Sequence, residues 1–104
     1  TINALLEHHP KIDGLFSTDI IMAYALRCLF DRGIRVPEQV KAVGYDGTEM
    51  ASLLTPPLTY IKQPLKDISR CLVETLLKKI DGEEIREQEI IVPGVTLVEG
   101  GTTC

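Results

Sequence analysis

Strand-like runs alternate with helical segments along most of this 104-residue chain, and the alternation restricts the folds open to it. The predicted strands cover residues 12–17, 39–45 and 58–61, and the predicted helices cover 20–30, 49–54 and an amphipathic segment that Pro64 opens. A shorter helix precedes Pro10, and two short strands flank Pro93-Gly94. Because strands that alternate with helices pair in parallel, the sequence predicts an α/β fold with a parallel sheet.

The composition is that of an ordinary soluble domain, with 44% hydrophobic and 25% charged residues. The net charge of −4 and the absence of a lysine or arginine run argue against nucleic-acid binding by this segment. No apolar stretch approaches the roughly 20 residues that span a bilayer. The start, "TINALLEHHPK", does not resemble a signal peptide, and three cysteines argue against a disulfide framework. These features favour a reducing cytoplasm.

Polar residues follow the three predicted strands at their carboxyl ends: Thr18, Asp46 and Gln63. Ligands of parallel sheets bind beyond those ends, so we expect the three side chains to share a cleft. Carboxylate, hydroxyl and amide groups suit the hydroxyls of a neutral sugar. Phosphate would call for a glycine-rich loop or an arginine, and neither is present at these ends. The aromatic ring of Phe16 or Tyr45 is suited to cover a sugar face.

Each of these polar residues also has an ordinary structural interpretation, and the sequence leaves both interpretations open. Asp46 precedes Gly47, which is a common pairing in turns. Thr18 and Asp19 suit the start of a helix, the first as a cap and the second as a charge near the helix N-terminus. Gln63 equally suits a strand end that faces water.

Catalysis finds little support in the residues. His8 and His9 are adjacent rather than four positions apart, so they cannot form a helical metal-binding pair. The serines lack the context of a nucleophile elbow, and no phosphate-binding loop or zinc motif occurs. We therefore expect a protein that is not an enzyme, with no catalytic residue, no metal and no cofactor.

The predicted helix over residues 20–30 is apolar on nearly all sides, with Arg27 as the exception. Such a helix must be covered on nearly all sides. A sheet can cover one face, so the other face needs a second cover, such as a partner subunit.

Three pieces of sequence, "TD", "RGIRVPEQVKAVGYD" and "PPLTYIKQP", occur in an order that closely resembles the C-terminal half of the lactose-repressor-type (LacI/GalR) transcriptional regulators. The resemblance extends from about residue 12 to residue 103. It implies a periplasmic-binding-protein-like (type I) effector domain, present here as a C-terminal fragment, in which two α/β subdomains flank a cleft. Residues 1–63 would belong to one subdomain, 64–93 to the other, and 94–104 would return to the first.

The resemblance also implies roles for individual residues. Thr18, Asp46 and Gln63 lie at positions near effector in the family, Asp46 being the acid of a "G-(Y/F)-D" motif, and Phe16 joins them in the predicted site. Gly100 replaces an arginine that is usual in the family, which puts the anchoring of the C-terminal end in question. The predicted dimer contacts are Met22, Ala23, Leu26, Leu53 and Leu54.

The sequence thus predicts part of the effector-binding and dimerisation domain of a cytoplasmic, sugar-responsive transcriptional repressor. The effector would be a sugar or a sugar phosphate, and the assembly a homodimer or a tetramer. Operator DNA would bind through a headpiece that precedes Thr1, and no membrane would be involved. The alternative is a transport-associated sugar-binding protein of the periplasmic type.

Overall fold

The computed structural model describes residues 1–86 and 89–104, and its helices and strands alternate as the sequence predicts. The elements are α1 (Ile2–His8), β1 (Gly14–Thr18), α2 (Asp19–Asp31), β2 (Lys41–Asp46), α3 (Glu49–Leu53), β3 (Thr59–Lys62), α4 (Leu65–Ile80) and β4 (Thr96–Val98). Two units result: Thr1–Lys62 with Thr96–Cys104, and Gln63–Val95. Their boundaries lie one and two residues away from those that the family resemblance implies.

The first unit contains a four-stranded sheet with the strand order β1-β2-β3-β4. The first three strands run parallel, and β4 pairs antiparallel with β3. The predicted α/β fold with a mainly parallel sheet is therefore confirmed. The sequence leaves the direction of β4 open, because a strand that follows a long connection can enter a sheet from either end.

One predicted strand is absent from the structure. The described residues 89–95, where the sequence predicts it, contain no strand. The segment "EIIV" has the composition of a strand, but a strand needs a neighbour for its backbone N–H and C=O groups. Within the described residues of the second unit there is no other strand to act as that neighbour.

The core of the first unit lies where α2 packs against the sheet. Met22, Leu26 and Leu29 recur at helical spacing and are each at most 9% exposed. They share a cluster with Ala42 of β2 and with Leu58, which precedes β3. Full burial of such a large apolar side chain contributes about 1.5–3 kcal/mol, so this face fixes α2 on the sheet.

Two buried threonines hold the C-terminal segment against the sheet. The hydroxyl of Thr102 donates to the carbonyl of Ala42 at 2.6 Å and accepts from the backbone N–H of Thr59 at 2.8 Å. The Thr59 hydroxyl in turn accepts from the backbone N–H of Gly100 at 2.9 Å. This end is therefore anchored by hydroxyl groups, although Gly100 stands where the family usually has arginine.

The second unit is dominated by α4, an amphipathic helix that Pro64 precedes. Asp67 lies in its first turn and Lys78 and Lys79 in its last, where their charges complement the helix dipole. No side chain of α4 is buried. Neither this helix nor any other in the described part of the chain combines the length and apolar content needed to cross a bilayer. The exposed apolar side chains of α4 are Leu65, Leu72, Val73, Leu76, Leu77 and Ile80.

Candidate functional site

Two of the predicted site residues lie at one edge of the sheet, where β1 and β2 end. Thr18 is the last residue of β1 and pairs in register with Tyr45. Asp46 is the last residue of β2 and pairs in register with Lys62. Thr18 is exposed and Asp46 is partly buried. The edge therefore presents a hydroxyl group on one strand and a carboxylate on its neighbour.

The two aromatic residues that were predicted to cover a sugar lie beside this edge. Phe16 is two residues before Thr18, so both side chains project from the same face of β1. The Phe16 ring is 63% exposed, and its centroid lies 6.2 Å from that of Tyr45 in an edge-to-face arrangement. An apolar surface thus adjoins the Thr18 hydroxyl.

The backbone at Asp46 is strained, with φ at +134°. A non-glycine residue in such a conformation costs of order 1–3 kcal/mol and persists only where its surroundings fix it. Gly47 follows with φ at +79°, and a Cβ atom placed on it would lie 2.9 Å from the Cα atom of Lys62. The turn after β2 therefore requires glycine at 47 and gives Asp46 a defined orientation.

The surroundings that fix this turn centre on Asp19, the first residue of α2. Its side chain is buried, at 1% exposure. One carboxylate oxygen, Oδ2, accepts from the Gly47 N–H at 3.0 Å, the Thr48 N–H at 2.7 Å and the Thr48 hydroxyl at 2.9 Å. The start of α2 also favours a negative charge at this point. Asp19 therefore joins the end of β1 to the loop that follows β2.

The sequence predicts Asp19 at the start of a helix and does not place it in the site. The acid of "TD" and the hydroxyl after "YDG" are visible in the sequence. The contact between them, however, joins residues 29 positions apart, and no local spacing reveals it.

Side-chain capping by Thr18, which the sequence leaves open, is absent from the structure. Thr18 occupies the N-cap position of α2, but its side chain makes no capping hydrogen bond. Thr48 occupies the same position in α3 and likewise does not cap it, because its hydroxyl donates to Asp19. Thr18 is therefore exposed at the sheet edge, and its hydroxyl does not cap the helix that follows.

Gln63 directly follows β3 along the chain and is the first residue of the second unit. Its side chain is partly buried. Its role in effector binding stays a prediction.

The predicted dimer contacts divide into buried and exposed residues. Met22 and Leu26 point into the core of the first unit, at 1% and 9% exposure, so they offer almost no surface to a partner. Leu53 is 80% exposed, while Ala23 and Leu54 are partly buried. The outward face of α2 instead carries other large exposed residues: Ile20, Tyr24, Arg27 and Phe30.

No group of three or more histidine, cysteine, aspartate and glutamate side chains among residues 1–86 and 89–104 is arranged to hold a metal ion. At the ends of β1 and β2 the sheet edge carries a hydroxyl and a carboxylate, and Lys62 ends the neighbouring strand β3. Such a pair suits hydrogen bonding to a polyhydroxylated ligand, in which Asp46 would accept and Thr18 could donate or accept.

The periplasmic binding protein-like domain family matches residues 2–103 of the chain. The ribose operon repressor of Halalkalibacterium halodurans is 34% identical over 100 residues, which cover 95% of this chain and 30% of that protein. The chain thus spans about 30% of the length of the curated relatives it matches.

Solved structures with the same fold include transcriptional regulators. A complex of the regulator CelR with cellobiose superposes with a TM-score of 0.88 at 33% identity, covering 97% of this chain and 31% of that chain. The lac repressor dimer bound to operator and the anti-inducer ONPF gives a TM-score of 0.83 at 29% identity, covering 98% of this chain and 31% of that chain.

Proposed function

The chain belongs to the periplasmic binding protein-like domain family, and we propose that it forms part of the effector-binding and dimerisation domain of a sugar-responsive transcriptional repressor of the LacI/GalR type. Relatives that match nearly its whole length are operon repressors. Regulators with the same fold include one in complex with cellobiose and one bound to operator. Repressors act by binding rather than by catalysis, which agrees with the expectation that this protein is not an enzyme.

A sugar is the proposed effector, and Asp46 is its proposed hydroxyl acceptor. The observation that carries this proposal is the strained Asp46, held at the carboxyl edge of a parallel sheet. Thr18 would add a second polar contact, and the exposed ring of Phe16 would cover an apolar sugar face. A sugar phosphate is a variant within this class, since Lys62 pairs with Asp46 in register and supplies a cation.

Operator DNA is the proposed second partner, contacted by a headpiece outside this chain. The chain itself has a net charge of −4 and no basic run, so it is unsuited to grip a phosphate backbone. A homodimer covering the outward face of α2 would transmit the effector signal, and the cytoplasm is the proposed location. An effector changes operator affinity only through its differential affinity for two states, with a coupling of typically ~1–3 kcal/mol.

A transport-associated sugar-binding protein is the less favoured alternative. It would share the fold, but the relatives at 34% and 37% identity are operon repressors. No feature of the described residues favours transport over regulation.

Replacing Asp46 by asparagine in the full-length protein tests the proposed site. Asparagine keeps the shape but loses a charged acceptor. Hydrogen bonds to charged groups contribute about 1.5–3 kcal/mol, so we expect sugar affinity to fall about tenfold or more. Isothermal calorimetry with ribose, cellobiose and sucrose would measure the change.

The matched control is Asp31→Asn, which removes an exposed carboxylate of α2 whose partner among the described residues is Arg27. Exposed ion pairs contribute little, so its sugar affinity should equal that of the parent. Asp46→Asn binding sugar as tightly as the parent would remove Asp46 from the site.

A further inference from the structure

We infer that Asp19 is the positioning residue of the effector site: its buried carboxylate holds the loop 46–48 so that Asp46 is presented at the sheet edge. The inference rests on the proposed function, because it concerns how a proposed effector ligand is held. Asp19 acts through Gly47 and Thr48 and does not itself touch the effector.

The hydrogen bonds fix the backbone directly after Asp46. The Gly47 N–H belongs to the peptide group that Asp46 begins, and it donates to Asp19 at 3.0 Å. The Thr48 N–H, in the next peptide group, donates to the same oxygen at 2.7 Å. Two consecutive peptide groups are thereby oriented by one acceptor, and rotation of Asp46 away from its φ of +134° would break both bonds.

The arrangement gives up local stability in α3. Thr48 is at the N-cap of α3, where a threonine side chain normally accepts a hydrogen bond from its own helix. Its hydroxyl is instead directed to Asp19 at 2.9 Å, and no capping bond forms. If the only role of Thr48 were to start α3, we would expect its hydroxyl to be directed to that helix and not to Asp19.

The position of the second Asp19 carboxylate oxygen, Oδ1, also lowers stability. Oδ1 is buried without a hydrogen-bond partner among the described residues, and it lies so close to Gly44 that a side chain at that position would collide with it and with Leu58. Burying an acceptor without a partner is unfavourable. Both costs are expected where the geometry of a loop matters more than local stability.

Three variants of the full-length protein separate a positioning role of Asp19 from a general contribution to stability. Asp19→Asn weakens all three bonds, because a neutral amide oxygen is a poorer acceptor than a carboxylate. Thr48→Val removes only the hydroxyl bond and is the milder change, whereas Thr48→Ser restores it. For each variant, calorimetry gives the affinity for ribose, cellobiose and sucrose, and a melting curve without sugar gives Tm.

Hydrogen-exchange mass spectrometry on peptides that contain residues 47 and 48 provides a readout that needs no sugar. We expect Asp19→Asn to speed exchange at these two amides and to weaken sugar binding by about tenfold. Thr48→Val should weaken sugar binding by less, and Thr48→Ser should bind as the parent does. The matched controls are Asp31→Asn and Ser52→Ala. Asp31 is an exposed carboxylate of the same helix, and the exposed hydroxyl of Ser52 donates to the Glu49 carbonyl.

The outcomes distinguish the inference from the proposed function. If Asp19→Asn and Thr48→Val lower Tm but bind sugar as tightly as the parent, Asp19 is a structural support only and the inference is overturned, while the proposed function stands. If the parent binds no sugar, the proposed function fails. In that case the hydrogen-exchange measurement still tests whether Asp19 holds the loop. Unchanged exchange at the amides of residues 47 and 48 in Asp19→Asn would overturn the inference.

Discussion

Single hydroxyl groups connect distant parts of this chain at both ends of the sheet. At the carboxyl ends of the strands, Thr48 bonds to Asp19; near their amino ends, Thr102 bonds to Ala42 and Thr59. Small polar residues of this kind leave no trace in a hydrophobic pattern. Their contacts therefore become visible only in the folded chain, which is why Asp19 and Thr102 escape prediction from the sequence.

The Thr102 contacts give a prediction for stability. Thr102→Val keeps the shape of the side chain but leaves the buried carbonyl of Ala42 and the N–H of Thr59 without this partner. We expect the free energy of unfolding of the full-length protein to fall by about 1–3 kcal/mol, measured by urea denaturation. Thr96→Val, an exposed threonine of β4, is the control and should change it by less than about 0.5 kcal/mol. Equal stability of the two variants would contradict the anchoring role of Thr102.

At the scale of elements, the sequence predicts where β1 and β2 end, but it does not predict which face of α2 points outward. An abrupt change from apolar to polar residues marks the ends of β1 and β2, so Thr18 and Asp46 could be placed at the sheet edge from sequence. α2 lacks such a contrast, because it is apolar on nearly all sides and has no polar stripe to show which face points outward. The sequence therefore predicts Met22 at a partner contact, although it lies in the core.

The outward face of α2 gives a prediction for assembly. Tyr24 is 65% exposed on this face, and the proposed homodimer would bury it. A glutamate there would place an unpaired charge in an apolar contact, so we expect Tyr24→Glu to weaken self-association about a hundredfold, or ~2.7 kcal/mol. Sedimentation of the full-length protein over a range of concentrations would measure this.

Thr96→Glu, which adds the same charge at an exposed position of β4, is the control for assembly. Its dissociation constant should remain that of the parent. A Tyr24→Glu protein that stays as tightly associated as the parent would place the subunit contact elsewhere on the chain.

At the scale of the whole molecule, fold class follows from local pattern, but strand pairing does not. The alternation of strands and helices is a property of neighbouring residues, and it predicted the α/β sheet. The direction of β4 and the absence of a strand at residues 89–95 depend on which other strands are available to pair. Distant parts of the chain decide whether a neighbouring strand is available. The segment "EIIV" therefore has the sequence pattern of a strand but forms no strand in this structure.

The apolar face of α4 extends this reasoning to the full-length protein, of which the chain spans about 30% if it is as long as its relatives. Leu72 and Leu76 are 66% and 59% exposed here, and we expect other segments of the full-length protein to cover them. Leu76→Lys should then lower the free energy of unfolding by about 2–4 kcal/mol, as a substitution in a core does. Glu74→Lys, which adds the same side chain on the opposite face of α4, should have little effect. Equal free energies of unfolding for the two variants would mean that this face is also exposed in the full-length protein. Its apolar side chains would then not contribute to a core.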